Sequence, residues 1–199
     1  MTEPHAVSAL VDEPVDVEVA DSDLVYEGRV WDVRSDTFAY NGSEIVRQYV
    51  AHPGAAAIVA IDDEDRVLLI QQYRHPIRHR DWEIPAGLLD VEGEPPAETA
   101  RRELAEEADL RAESWEPLVS IFTTPGGNDE IVHLFLARGL LPVGAAHPRE
   151  DEEADIRVEW VPLAEVVAGV LAGRLRNGIL AVGVLAAAER LRAAGAAGN

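Results

Sequence analysis

The sequence predicts an α/β fold that begins with a small β-hairpin, and three stretches of the chain carry this prediction. Residues 55–61 and 66–73 are apolar, β-branched runs joined by four acidic residues, a pattern typical of a buried hairpin. Residues 97–108 contain only good helix formers and no helix breaker, which predicts a helix. Asn41 and Gly42 favour a type I′ turn between two further strands, because both positions require a positive φ.

The rest of the chain is consistent with mixed β-sheets covered by a few helices. The sequence indicates further strands at residues 24–33, 36–40, 44–51, 115–122, 131–137 and 156–161, and further helices at 162–172 and 175–194. We expect four segments, namely a mobile acidic tail at residues 1–22, an N-terminal β segment at 23–52, a main domain at 53–194 and a C-terminal tail at 195–199.

Composition excludes several classes of function. The chain has 199 residues and no cysteine, so it can form neither disulfides nor thiolate metal sites. All 17 of its basic side chains are arginines, and its net charge of −20 argues against a nucleic-acid-binding surface. No apolar run reaches the length of a membrane span, and the N-terminus lacks the pattern of a signal peptide. We therefore expect a cytoplasmic location and no membrane partner.

The helix predicted at residues 97–108 places carboxylates beside its buried face. At about 100° per residue, the apolar face consists of Ala97, Ala100, Leu104 and Ala108. Glu103 and Glu107 flank this face and Glu106 lies next to them, so like charges repel one another along one edge. A solvated helix with ion pairs would account for this pattern, and so would a site for a hard divalent cation such as Mg²⁺.

The residues that precede the helix favour the metal site. From Gly87 to Leu110 the chain resembles the Nudix box, Gly-x5-Glu-x7-Arg-Glu-U-x-Glu-Glu-x-Gly-U, in which U is aliphatic. The residues that match in register are Glu94, Arg102, Glu103, Leu104, Glu106, Glu107 and Leu110. Two positions differ from the motif: the loop after Gly87 is one residue longer, and Asp109 replaces the glycine that caps the helix. Asp tolerates the left-handed conformation better than most residues, so we expect a small loss of stability there.

The resemblance implies the fold and the chemistry of that superfamily, an α/β/α sandwich that hydrolyses a diphosphate linkage with Mg²⁺ or Mn²⁺. It assigns the metal ions to Glu103, Glu107 and the backbone carbonyl of Ala86, with Glu106 as a further ligand. Arg102 would orient these carboxylates. A Glu on the loop before the strand at residues 156–161 would position or deprotonate the attacking water, and Glu153 matches that position best, with Glu152 as the alternative.

Other residues indicate the ADP-ribose pyrophosphatases within this superfamily. Pro125 lies fifteen residues beyond Leu110, as in that group. By the same resemblance, Glu130 would contact the substrate, and Arg47 would contact the adenine across the subunits of a homodimer. Arg74 could be a surface charge, but its position beside the box favours a phosphate contact, because Arg forks onto phosphate oxygens. Trp31 would stack on the adenine, and a core or dimer contact is the alternative for this residue.

These resemblances predict the hydrolysis of ADP-ribose to AMP and ribose 5-phosphate. Another nucleoside diphosphate sugar is the alternative substrate. A domain that senses ADP-ribose without cleaving it is a third possibility, which the complete set of carboxylates in the box disfavours.

Overall fold

The computed structural model describes residues 10–144 and 156–197, which form two compact units divided between Ala51 and His52. The first unit is an antiparallel sheet of three strands, β1 (Val19–Tyr26), β2 (Asp32–Tyr40) and β3 (Ser43–Ala51). Residues 19–22, which the sequence assigned to the tail, pair with β2 in this sheet.

The turn between β2 and β3 confirms the predicted hairpin. Asn41 and Gly42 have φ angles of 51° and 75°, as a type I′ turn requires. The predicted strand at residues 24–33 was wrong, because the chain leaves the sheet after Tyr26 and returns at Asp32. The side chain of Asp32 accepts a hydrogen bond from the amide of Gly28 at 3.1 Å and closes this connection.

The second unit contains two sheets. One has the strand order β10 (Arg157–Pro162), β5 (Arg66–Arg74), β6 (His79–Glu83), and the other has the order β7 (Ala86–Leu88), β4 (Ala55–Ala60), β9 (Ile131–Pro142), β8 (Leu110–Phe122). The β4–β9 pair is parallel and the other pairs are antiparallel, which confirms the mixed sheets. The sequence analysis missed β6 and β7 as separate strands.

Strand β4 lies at the centre of the core, and all six of its residues are buried. Ala56 and Ile58 face a cluster that includes residues of α1 (Pro96–Ala108). Ala57 and Val59 face a second cluster with residues from α2 (Leu163–Leu171) and α3 (Gly178–Ala197). Helices therefore cover both faces of this sheet, as the predicted sandwich requires.

Helix α3 begins later than the sequence indicated. Asn177 caps it, because its side-chain oxygen accepts the amide N–H of Leu180 at 3.0 Å. Gly183 then lies against the sheet, where an added Cβ atom would come within 2.9–3.1 Å of Val59, Leu134 and Ile84. Within the described ranges, the structure contains no helix that combines the length and the apolar character of a membrane span.

We expect Gly183→Ala to destabilise the protein although alanine favours helices. The three neighbours of the new methyl group are buried side chains that must shift to admit it, so overpacking should lower the free energy of unfolding by about 1–3 kcal/mol. Gly195→Ala is the matched control in the same helix, because its Cβ atom would meet no other atom within 4 Å. Chemical denaturation of both variants measures the difference, and equal stabilities would contradict the close packing of α3.

Candidate active site

Helix α1 presents its acidic edge to the segment that joins the two sheets. Pro95 and Pro96 begin the helix without losing a hydrogen bond, and Ala100 and Leu104 bury its apolar face. Asp109 ends the helix at φ 55° and ψ 33°, and its amide N–H bonds to carbonyl groups of the last turn. The predicted left-handed cap at this aspartate is confirmed. Both ends of α1 are thus fixed, and so is the direction of its acidic side chains.

Arg102 lies at the centre of a cluster of carboxylates. Its Nη1 atom donates hydrogen bonds to Glu103 at 2.5 Å and to Glu106 at 3.0 Å, and its Nη2 atom donates to Glu94 at 3.3 Å. Glu94 also accepts the hydroxyl of the buried Thr99 at 2.8 Å. Three carboxylates thus surround one guanidinium and leave two negative charges uncompensated.

The charges and hydrogen bonds of this cluster shift the pKa values of Glu94 and Arg102. The hydrogen bonds from Thr99 and then Arg102 lower the pKa of Glu94 below its usual range. Burial by itself would lower the pKa of Arg102, but the hydrogen bond to Glu94, the charge of Glu103 and the hydrogen bonds to Glu103 and Glu106 outweigh it and raise that pKa. Both charges are therefore maintained at neutral pH, and Arg102 holds the cluster together.

The bonds of Arg102 are nevertheless single and one-sided. Arg102 contacts Glu94 through Nη2, and it contacts both Glu103 and Glu106 through Nη1. None of these three contacts is bidentate. The Nε atom of Arg102 is buried and has no hydrogen-bond partner within residues 10–144 and 156–197. Such an arrangement can exchange one partner for another more readily than a bidentate pair can.

Glu107 and Glu103 reach the backbone of β7. Glu107 is only 7% exposed, and it accepts the amide N–H of Ala86 at 3.0 Å. The Glu103 carboxylate lies so close to Gly87 that a Cβ atom there would come within about 2.1 Å of its Oε1 atom. The structure thus brings the two carboxylates to the predicted backbone position, and glycine at 87 makes this approach possible.

Arg74 forms a pair that sequence reasoning missed. Its Nε and Nη2 atoms donate hydrogen bonds of 2.7 Å to the two oxygens of Glu83, the last residue of β6. Glu83 is buried, although it carries a charge. One signal in the sequence could have indicated Glu83: it is the only acidic residue in the apolar run at 82–86, three positions before the predicted metal ligand Ala86.

Glu130 lies in the loop between β8 and β9 and bonds to the hydroxyl of Thr123 at 2.5 Å. Its other oxygen is 3.6 Å from Nδ1 of His52. The same nitrogen also lies 3.0 Å from the amide nitrogen of Gly54, whose N–H points to it. Glu130 also lines an open cavity of about 520 Å³, shared with Thr123, Asn128 and Asn177.

The structure does not test the predicted roles of Trp31, Arg47 and Glu153. Trp31 and Arg47 belong to the first unit, where Trp31 is about half exposed and Arg47 bonds to the carbonyl of Val46 at 2.8 Å. Glu153 and its alternative Glu152 lie outside the described residues. The assignments of these residues therefore stay predictions.

Comparisons with known proteins bear on the whole chain. A family model described as NUDIX domain matches residues 51–180. The chain belongs to the Nudix family. It is 46% identical over 172 residues to an ADP-ribose pyrophosphatase of Mycobacterium tuberculosis (strain ATCC 25618 / H37Rv), which spans 86% of this chain and 83% of that protein. It is 42% identical over 137 residues to a methanol dehydrogenase activator of Bacillus methanolicus, which spans 68% and 74%.

A solved structure supports the fold. The crystal structure of an ADP compounds hydrolase superimposes with a TM-score of 0.76 over 93% of this chain and 99% of that chain, at 23% sequence identity. At this identity the similarity concerns the architecture, and it confirms the predicted Nudix fold.

Nudix hydrolases generally need a divalent metal ion, and the donor set beside β7 fits one. Glu103 and Glu107 supply hard carboxylate oxygens, and the missing side chain of Gly87 leaves room for them at the backbone. In the parts of the chain that the structure describes, no group of three His, Asp or Glu side chains converges as metal ligands. Arg102 donates hydrogen bonds to Glu103 and Glu106, and the Ala86 amide donates one to Glu107.

Gly87→Ala should weaken metal binding without unfolding the protein. The new methyl group must displace the Glu103 carboxylate, and we expect affinity for Mn²⁺ to fall about 10–100-fold, the usual cost of disturbing the support of a metal ligand. Calorimetric titration with Mn²⁺ measures this. Gly178→Ala is the control, because a Cβ atom there meets nothing within 4 Å. Unchanged affinity in Gly87→Ala would show that Glu103 is not a ligand.

Proposed function

We propose that this protein hydrolyses the diphosphate bond of ADP-ribose and releases AMP and ribose 5-phosphate, with Mg²⁺ as the metal ion and Mn²⁺ as a substitute. The observation that carries the proposal is the convergence of Glu103 and Glu107 on the Ala86–Gly87 backbone, next to the cluster held by Arg102. The name of the M. tuberculosis relative supports ADP-ribose as the substrate.

The metal ions would be held by Glu103, Glu107 and the carbonyl of Ala86, with Glu106 as a further ligand. When bound, they supply Lewis-acid polarisation of the phosphate and lower the pKa of a bound water. Arg102 would orient the carboxylates, and its positive charge would reduce the electrostatic repulsion between them when no metal ion is bound. Arg74 binds a phosphate oxygen of the substrate through its guanidinium. Glu130 offers a carboxylate to hydroxyl groups of the sugar at the cavity that it lines.

The identity of the substrate is more specific than membership of the family. The relative from B. methanolicus carries a different name, so membership of the family does not by itself select ADP-ribose. Other nucleoside diphosphate sugars are the alternative, and a panel of these compounds assayed with Mg²⁺ separates the two. A non-hydrolysing sensor is disfavoured, because Glu103, Glu106, Glu107 and Arg102 are all present.

The first unit fits a role in a homodimer. Its edge strand β1 exposes several apolar side chains, which a second copy of the chain would cover: Val19, Leu24, Val25 and Tyr26. The dimer, with adenine contacts by Trp31 and Arg47 across subunits, stays a prediction that light scattering addresses. The cytoplasmic location also stays a prediction.

Glu107→Gln should nearly abolish hydrolysis of ADP-ribose and leave the fold intact. The amide can still accept the N–H of Ala86, but it removes a charged metal ligand. We expect kcat to fall at least about 100-fold, since even residues that only orient metal ligands cost about 10–100-fold. Glu98→Gln is the control on the same helix, where Glu98 pairs only with Arg101 in the described structure. Turnover by Glu107→Gln within about threefold of wild type would exclude the metal assignment.

Glu153→Gln tests the proposed base. Loss of a positioned general base usually costs about 10²–10⁴ in rate, so kcat should fall at least about tenfold while affinity for the substrate stays. Glu150→Gln, in the same acidic run, should be nearly neutral. If Glu152→Gln shows the loss instead, the base is one residue earlier. If neither variant loses activity, this loop takes no part in catalysis.

A further inference from the structure

Resting on the proposed function, we infer that Glu83 is a positioning residue for substrate phosphate, which acts by fixing the guanidinium of Arg74. The inference begins with the geometry of the pair. The two hydrogen bonds of 2.7 Å engage both oxygens of Glu83 and the Nε and Nη2 atoms of Arg74, a bidentate arrangement that fixes the plane of the guanidinium.

The two partners differ in their access to solvent. The side chain of Glu83 is 8% exposed, whereas that of Arg74 is 45% exposed. The carboxylate is thus the anchored partner and the guanidinium is the accessible one. A buried carboxylate is costly without a partner, so Glu83 draws Arg74 into one orientation.

The position of Glu83 in the chain connects this pair to the metal-binding backbone. Glu83 ends β6, and only Ile84 and Pro85 separate it from Ala86. Pro85 and Ile84 are buried, and the carbonyl of Pro85 accepts the amide N–H of Ile58 in β4 at 2.8 Å. Arg74 is bound to Glu83 at one end of this buried segment, and Ala86 lies at its other end. The pair therefore sets the position of a phosphate-binding cation relative to the predicted metal ligands.

The chain provides a matched control at the other end of β5. The Nε and Nη2 atoms of Arg66 each lie 2.7 Å from the Asp62 carboxylate. Arg66 begins strand β5, and Arg74 ends it. Eight residue steps along the strand separate the two arginines by about 26 Å. Both nitrogens of Arg66 contact one oxygen of Asp62, while the other oxygen of Asp62 accepts the amides of Glu64 and Arg66. Asp62→Asn therefore removes the charge of an Asp–Arg pair far from Arg74 without touching the fork on Glu83.

The test measures KM and kcat for ADP-ribose and, separately, the Kd for inorganic pyrophosphate by calorimetry with Mg²⁺. A phosphate contact that is equal in the ground and transition states acts on KM, so Glu83→Gln should raise KM and Kd about tenfold and change kcat little. Asp62→Asn should lower Tm and leave KM and Kd unchanged. In an Arg74→Gln background, Glu83→Gln should cause no further increase.

Arg74→Lys tests the inference even if Glu83→Gln fails to fold. Lysine keeps the charge but has no fork to be fixed by Glu83, so its KM and Kd should rise nearly as far as those of Arg74→Gln. Values within about twofold of wild type for Glu83→Gln, or for Arg74→Lys, would overturn the inference. So would an equal effect of Glu83→Gln in the Arg74→Gln background. Absence of ADP-ribose turnover in the wild-type protein contradicts the proposed function alone, because the pyrophosphate titration still tests Glu83.

Discussion

The repulsion among carboxylates on one edge of α1 is the constraint around which the second unit is arranged. Glu103 and Glu107 are one helical turn apart and both are largely buried, where like charges repel more strongly than in water. Arg102 compensates part of this charge by bonding along the helix, and the Ala86 amide compensates another part. The remaining negative charge explains why a cation, and through it an anionic substrate, can be attracted to a protein with a net charge of −20.

Apolar clusters on both faces of β4 fix the position of α1 and hence of its acidic edge. Ala100 and Leu104 attach α1 to one face, while α3 packs against the other. Strand β7 adds only three residues to the sheet, but its pairing with β4 places the Ala86–Gly87 backbone opposite the helix. The position of the carboxylates is therefore a result of core packing, and their chemistry is a result of the charges that this packing leaves uncompensated.

Local patterns were sufficient for much of this architecture. The Asn41-Gly42 turn, the left-handed Asp109 and the buried strand β4 follow from backbone preferences and periodicity that a few adjacent residues carry. The Arg74–Glu83 pair could not be read in this way, because it depends on the register between two strands. The role of Gly87 depends on a close approach between a strand and a helix sixteen residues later, which no local pattern indicates. Strand β8 begins at Leu110, five residues earlier than predicted, and Pro117 lies within it next to an irregularity in its pairing with β9.

The contact between Gly183 and Ile84 has a consequence for how function responds to sequence change. Helix α3 contributes no side chain to the predicted metal site, yet its glycine sits against a residue two positions before Ala86. A larger side chain at 183 would contact Ile84, in the segment that carries both the backbone of the predicted metal site and Glu83, which binds Arg74. In a mutational scan for catalytic activity, position 183 should therefore group with the residues of the site, although it lies on the opposite face of the sheet from the acidic helix.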